Sequence, residues 1–278
     1  MQHGIGKYDL SSLKYCTTAG EALNLDIYEK FFEQTGIRMQ EGYGQTELTL
    51  TTGNFGFSEP RPGSMGKPSP GYRMEIVNAE GEPCADNEVG ELIIKIDQGK
   101  PFGMFGGYYR DEERTERVFE GGVYHTGDTA TRDENGYYWF VGRTDDLIKS
   151  SGYRISPFEV EEVIHKHPAV LEVAVTGVED KDRGQAVKAS IVLQKGYEAS
   201  KELAKEIQLF TKKIAASYKS PRIIDFVTEL PKTISGKIRR ATIRDKDASA
   251  SAAQAEQAEN ATNATESAPE VENTAEEK

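Results

Sequence analysis

Between residues 13 and 53 the apolar positions predict a strand, a turn, a helix, a second strand and a loop. "LKYCTTAGEAL" supplies the first strand and turn. Asn24 then precedes Leu25, Tyr28, Phe31 and Phe32, which recur on one helical face, and Gly36 stands just beyond them. An asparagine able to take a free amide, a one-sided apolar stripe and a closing glycine are the marks of a short amphipathic helix. This order suits part of a layered α/β domain. From Tyr72 the pattern shortens. "YRMEIVN", "GELIIKI" and "GYYWFVGR", punctuated by "AEGEP" and "DENG", predict a small antiparallel sheet.

A third region opens after Arg143. Ser156, Pro157 and Glu159 form a helix start: serine as N-cap, proline in the first turn, and glutamate three residues on completing a capping box. Val160, Val163 and Ile164 share the face that follows. "LEVAVTGV" and "AVKASIVL" alternate as half-buried strands do, and a helix from Ser200 places Leu203, Ile207, Phe210 and Ile214 at spacings of four, three and four. The strand "RIIDFVTEL" and the loop "PKTISGKIRR" complete a compact α+β region over residues 146–246.

Composition changes this picture at one end only. Of 278 residues, 37% are hydrophobic and 29% charged, enough for one large domain or two ordinary ones. The net charge of −12 argues against nucleic acid as a partner, but it is uneven: residues 247–278 hold eight acids against one lysine, and the remainder is ordinary for a solvated surface. That segment has no aromatic residue, so it is expected to stay an acidic tail without order. No run approaches a membrane span, and "MQHGIGKYDLSS" lacks the apolar core of a secretory signal. Cys16 and Cys84 make no disulfide scaffold, which leaves a cytoplasmic chain as the expectation.

Four stretches combine glycine with isolated polar side chains. "EGYGQTE" (41–47) can present the Tyr43 ring, the Thr46 hydroxyl and the Glu47 carboxylate to one ligand, a set that suits a base, a phosphate and a hard cation; a turn around a half-buried tyrosine is the plainer alternative. In "YHTGD" (124–128), Asp128 has two oxygens for a vicinal diol such as ribose, although a Gly-Asp pair is most often only a turn. His125 is expected to be a buried, hydrogen-bonded histidine rather than a base. His165 and His167, two apart on a helix, make a poor metal pair. "GRTDDLIKSSGYRI" (142–155) sets Arg143, Asp145, Asp146, Lys149 and Arg154 around Gly152 at a domain junction, where mixed charge suggests a hinge rather than a mere solvated face. Lys237 projects from the turn at Ser235 and Gly236, a point charge able to neutralise a phosphate or carboxylate oxygen. For any single lysine, an ordinary surface position is the commoner reading.

Taken in order, "TAGE" (18–21), "EGYGQTE", "YHTGD", "GRTDDLIKSSGYRI" and "PKTISGKI" resemble the serial motifs of the adenylate-forming acyl-CoA synthetases, most closely the medium-chain and acetyl-CoA-synthetase-like members. The resemblance implies α/β plus α+β architecture. Residues 1–142 would be the C-terminal part of a large adenylating domain, its α/β layer and small antiparallel region. Residues 143–246 would be the hinge and a small mobile α+β domain.

It also implies the chemistry. A carboxylic or fatty acid would react with ATP to an acyl-adenylate, and coenzyme A would then displace AMP. Gly20 and Glu21 would line the adenine site, Tyr43 would stack on the base, and Thr46 would bond the α-phosphate. Glu47 would hold Mg²⁺. Asp128 and Arg143 would take the ribose hydroxyls, with Arg154 near the α-phosphate, Asp145 as hinge and Gly152 bordering the pantetheine channel. Lys237 would act in adenylation and Lys149 in thioester formation.

One departure stands out: the family's Ser/Thr/Gly-rich phosphate loop ending in lysine does not occur here, so the chain is expected to correspond to the C-terminal half of a synthetase and to need a missing N-terminal half. Two other readings stay open, an inactive nucleotide-binding remnant or interaction module, and an adenylation partner of a separate carrier protein.

Overall fold

Asn24 caps the first helix as its position predicts, taking the Ile27 amide on its side chain at 3.3 Å. The computed structural model describes residues 5–20, 23–234 and 236–250. Helix α1 (Leu25–Thr35) follows strand β1 (Cys16–Ala19) and ends at Gly36, whose φ of 68° is the left-handed value that favours glycine. The predicted stripe forms without being buried. Leu25 is 45% and Phe32 39% exposed, while Tyr28 and Phe31 are half-buried.

After α1 come β2 (Met39–Gln45), β3 (Leu48–Gly53) and β4 (Lys67–Pro68), in a sheet of order β1-β2-β3-β4. β1 runs parallel to β2, and β2 to β4 are antiparallel. "EGYGQTE" was expected to be a loop. Its first five residues instead are the last five of the seven in β2, and only Thr46 and Glu47 make the turn into β3. The glycines serve strand approach. A Cβ on Gly44 would lie 2.8 Å from the Thr49 carbonyl oxygen, and one on Gly42 3.0 Å from that of Thr52.

The second sheet is the expected antiparallel meander, β5 (Met74–Val77), β6 (Gly90–Lys95), β7 (Val123–Arg132) and β8 (Tyr138–Arg143) in that order. "YHTGD" is likewise no free turn but part of β7. Helix α2 (Glu112–Val118) precedes β7, with Asp111 capping the Arg114 amide. Apolar residues of this sheet, Leu92, Ile94 and Tyr124 among them, are almost fully buried.

The chain divides into two compact units, Met1–Leu147 with Arg154–Lys166, and Ile148–Tyr153 with His167–Lys278. It passes between them through the short strands β9 (Ile148–Ser150) and β10 (Tyr153–Ile155). Helix α3 (Pro157–His165) belongs to the first unit, capped by Ser156 at the Glu159 amide, 3.2 Å. It packs its Phe158 ring edge-on to Phe140 of β8.

In the second unit β11 (Val170–Asp180) and β12 (Gly184–Leu193) form a long antiparallel ladder, and β13 (Ile223–Phe226) adds to β12 in parallel. Helix α4 (Lys201–Ile214), capped by Ser200, buries Leu203 and Ile207 as predicted, while Ile214 is 50% exposed. A helix over residues 240–250 runs four residues into the segment expected to lack order. Asp247 on it pairs with the nearly buried Lys188 of β12 at 2.6 Å, which gives that end of the chain a partner.

Candidate functional site

The two-residue period of β2 puts Glu41, Tyr43 and Gln45 on one face of the strand. Two of these reach across to β7. The Tyr43 hydroxyl donates to Asp128 Oδ2, and Gln45 Nε2 donates to the same oxygen at 2.6 Å and to the Thr126 carbonyl at 2.9 Å. On the other side, Asp128 stands directly opposite Arg143 in the β7–β8 register. Arg143 Nη1 donates to Asp128 Oδ1 at 3.3 Å and to the Thr126 carbonyl at 3.1 Å, while its Nε reaches Asp145 Oδ1 at 3.2 Å.

Gly127 makes room for this. Its φ is 66°, and a Cβ there would lie 2.9 Å from the Arg143 guanidinium.

Asp128 is 5% exposed. Burial pushes its carboxyl above the ordinary range, and the Tyr43 hydroxyl, the Arg143 charge and the Gln45 amide pull it part of the way back. Burial and the Asp128 charge raise the Tyr43 phenol strongly, so Tyr43 is a neutral donor. Arg143 is held in its charged form: burial works against the charge, and Asp128 and Asp145 outweigh it.

Of the expected residues, Tyr43, Asp128, Arg143 and Asp145 thus form one connected network. Gly20 directly follows β1, whose last residue Ala19 pairs with Gly42 of β2. Glu21 lies outside the described residues. Thr46 is exposed in the turn, and Glu47 next to it accepts the Tyr108 hydroxyl at 2.8 Å through Oε1. The fit to a cation is that of one carboxylate: among the described residues no cluster of three or more His, Cys, Asp or Glu could hold a metal by itself. Magnesium commonly takes one or two protein carboxylates and completes its shell with substrate phosphates and water, so Glu47 satisfies the protein's share. Arg154 is exposed on β10.

Lys149, Gly152 and Lys237 belong to the second unit. Lys149 is exposed on β9 with its amide on Gln185 at 2.8 Å, and Gly152 takes the left-handed φ of 84° in the turn that follows. Lys237 stands on the return arm of a tight hairpin. Thr233 donates its amide to the Lys237 carbonyl at 2.8 Å, and Lys232 bridges to Ile238. The ammonium of Lys237 has no ion-pair partner among the described residues. His125 sits 3.2 Å from both oxygens of Glu91, hydrogen-bonded as expected, but it is only half-buried because β7 faces solvent there. His167 lies beyond the end of α3, buried against Phe210 and Glu206.

Sequence reasoning missed Gln45, Tyr108, Tyr124 and Thr126. For Gln45 a signal existed, since it is two residues from Tyr43 on a strand and so shares its face. Also missed was a cavity of about 570 Å³ in the second unit, lined by Arg183, Lys205, Lys212 and Arg222 beside Tyr153 and Tyr218. Those two rings stack with centroids 4.1 Å apart.

Comparison with known proteins assigns the class. The sequence profile of the AMP-binding enzymes matches residues 1–109, and that of the AMP-binding enzyme C-terminal domain matches residues 159–237. The chain belongs to the AMP-binding enzymes, in the family of adenylate-forming acyl-CoA synthetases. Acyl-coenzyme A synthetase ACSM3, mitochondrial, of Rattus norvegicus is 45% identical over 249 residues, covering 89% of this chain and 43% of that protein. The 4-hydroxybutyrate–CoA ligase 1 of Metallosphaera sedula is 48% identical over 244 residues, covering 87% and 43% respectively. The crystal structure of the anthranilate CoA ligase AuaEII in complex with anthranoyl-AMP matches with a TM-score of 0.78 at 38% identity, over 89% of this chain and 47% of that one. The chain therefore spans less than half the length of these relatives. Among its described residues no helix is long and apolar enough to cross a membrane.

Proposed function

We propose that this chain carries the ribose and adenine side of an acyl-CoA synthetase site together with the small domain that completes it, and that the whole enzyme makes an acyl-CoA from a carboxylic acid, ATP and coenzyme A. The observation that carries the reading is the network joining Tyr43, Gln45, Asp128 and Arg143, which unites two motifs far apart in sequence. In this reading residues 1–142 are the end of the adenylating domain, residues 143–246 are the hinge and small domain, and Asp145 is the pivot. The first division between the compact units falls two residues beyond Asp145 and supports that pivot, whereas Arg154–Lys166, α3 included, groups with the first unit rather than with the small domain. A cytoplasmic location stays part of the reading.

The reaction assigned to the whole enzyme has two steps. A substrate carboxylate oxygen attacks the α-phosphorus of ATP, forming the acyl-adenylate and releasing pyrophosphate. The thiolate of coenzyme A then attacks the acyl carbonyl, forming the thioester and releasing AMP.

The residues divide this work. Tyr43 offers a ring face for the adenine, a role the reading shares out to Gly20 and Glu21 as well, and Asp128 with Arg143 binds the ribose. Thr46 and Arg154 hold the α-phosphate. A magnesium ion at Glu47 would supply positive charge to the phosphate oxygens. Lys237 places its ammonium between carboxylate and α-phosphate in the first step, and Lys149 serves the second, with Gly152 beside the pantetheine arm. The cationic cavity bordered by Arg183, Lys205, Lys212 and Arg222 suits the phosphates of the coenzyme A nucleotide, and its paired tyrosines suit the base.

Calorimetric titration with AMP tests the nucleotide half directly. Saturable binding is expected, and Asp128→Asn should weaken it by roughly 10- to 100-fold, the cost of losing a charged acceptor for a hydroxyl. No heat of binding at millimolar AMP in the folded chain would sink the reading.

A further inference from the structure

The side chain of Lys188 on β12 is 12% exposed and faces two carboxylates. Asp247 Oδ1, on the helix over residues 240–250, lies at 2.6 Å, and Asp225 Oδ2, on the half-exposed side of β13, at 3.5 Å. Asp247 is thus the close partner. Its other oxygen, Oδ2, is buried with no partner among the described residues. A buried carboxylate met on one side only adds little net stability, because desolvation offsets most of the attraction. What such a pair does supply is register, since it is made in one setting of the helix and broken in the others.

The helix has need of it. Arg240, Ile243, Arg244 and Asp247 recur at the helical period and share one face. Ile243 on that face is 7% exposed in a cluster with Ala174 and Leu230. Apolar contact of this kind holds a helix against a sheet but is non-directional, so it does not forbid rotation or sliding. A slip of one residue turns the helix by about 100° and moves it by about 1.5 Å.

That movement would reach Lys237, which stands three residues before the helix begins. Between them, Ile238 packs against the same cluster as Ile243, and Arg239 donates its amide to the Pro231 carbonyl at 2.8 Å. The outgoing arm of the hairpin is tied separately, through buried Leu230 and through Lys232, which pairs with Glu172 of β11 at 2.5 Å. The return arm, with Lys237 on it, continues into the helix.

We propose that Lys188 and Asp247 are positioning residues for Lys237, a fastening that sets the register of the last described helix and so the reach of the Lys237 ammonium. The inference rests on the adenylating role given to Lys237 above and extends it to two side chains that meet no substrate.

Amide hydrogen exchange on the full chain tests the fastening. Asp247→Asn keeps the shape and removes the charge, while Lys188 retains Asp225. The Thr233 and Arg239 amides, which close the hairpin on the Lys237 and Pro231 carbonyls at 2.8 Å, should exchange about 10- to 100-fold faster, the scale of one charge-assisted hydrogen bond. Amides of the β11–β12 ladder should keep the parent rate, which separates local release from loss of the fold. Asp247→Glu keeps the charge and should return most of the protection. Lys188→Met combined with Asp247→Leu removes the pair without leaving either charge alone; it should release the same two amides and carries the test if Asp247→Asn does not fold. Unchanged exchange at both amides in a folded variant overturns the inference.

Chemistry supplies the second reading. With the upstream half expected from the family resemblance supplied, Asp247→Asn should slow acyl-adenylate formation by about 10- to 100-fold, the cost of a reacting group misplaced by about 1 Å. Thioester formation from a synthetic acyl-adenylate should keep the parent rate, a split that loss of stability alone does not produce. Equal loss in both steps, or none in either, overturns the inference and leaves the role of Lys237 standing. Adenylation at the parent rate by Lys237→Ala sinks that role, and the inference with it.

Discussion

Glu41 is 5% exposed on the same face of β2 as Tyr43, and its Oε1 accepts the Leu23 amide at 2.9 Å while its Oε2 has no partner among the described residues. Burial raises its carboxyl from 4.5 to about 7, against the pull of the Leu23 and Gly63 backbone and with a smaller push from Glu162 of α3. Because the folded chain holds this proton more tightly than the unfolded one, the stability tied to it is fully present below the unfolded value and is lost as pH rises toward about 7. The loss is on the order of 3 kcal/mol. Glu41→Gln keeps the acceptor for Leu23 and removes the charge. Its melting temperature should match the parent at pH 4 and exceed it by several degrees at pH 8; a constant difference at both would mean that Glu41 does not titrate with folding.

Elements show where sequence reasoning reached and where it stopped. Asn24 and Ser156 are the caps the sequence indicates, and Ser200 caps the helix expected to run from it, because a cap is a local bond between neighbours in the chain. The antiparallel meander was legible for a related reason, since its alternation and turns are both local. "EGYGQTE" was not. Two glycines within three residues look like a loop, yet they belong to a strand whose partner approaches too closely for any side chain. That fact depends on Thr49 and Thr52 and cannot be seen from the motif itself. Gly44→Ala should therefore cost roughly 1 to 3 kcal/mol, since its Cβ would press on the rigid Thr49 carbonyl rather than on a movable side chain. Denaturant unfolding checks this, and a cost near zero would show that β2 and β3 can separate freely there. The site divides the same way. Tyr43, Asp128 and Arg143 were named by their motifs, Gln45 was legible only once β2 is known to be a strand, and Tyr108 became visible only when β2 and the segment before α2 came together.

At the scale of the molecule, the residues assigned to chemistry fall in two compact units, with Tyr43, Glu47, Asp128 and Arg143 in one and Lys149, Gly152 and Lys237 in the other. The proposal that the second unit moves makes a demand that neither unit makes alone: one lysine must serve one half-reaction and leave the other untouched. Lys237 suits the first because it is exposed on a hairpin braced by Thr233 and Ile238, with no ion pair among the described residues to neutralise it. When the upstream half expected from the family resemblance is supplied, Lys237→Ala should slow acyl-adenylate formation by about a hundred- to thousandfold, the cost of one preorganised charge of roughly 3 to 4 kcal/mol. Thioester formation from a synthetic acyl-adenylate should continue at the parent rate, since on this reading the small domain has carried Lys237 away before coenzyme A attacks, and the charge left on the departing AMP phosphate is met by other groups. Pyrophosphate release and thioester appearance are measured separately, so the two steps cannot mask each other. Equal loss in both would place Lys237 in a role common to the whole cycle, such as holding the small domain together, and the division of labour between the two lysines would then have to be abandoned.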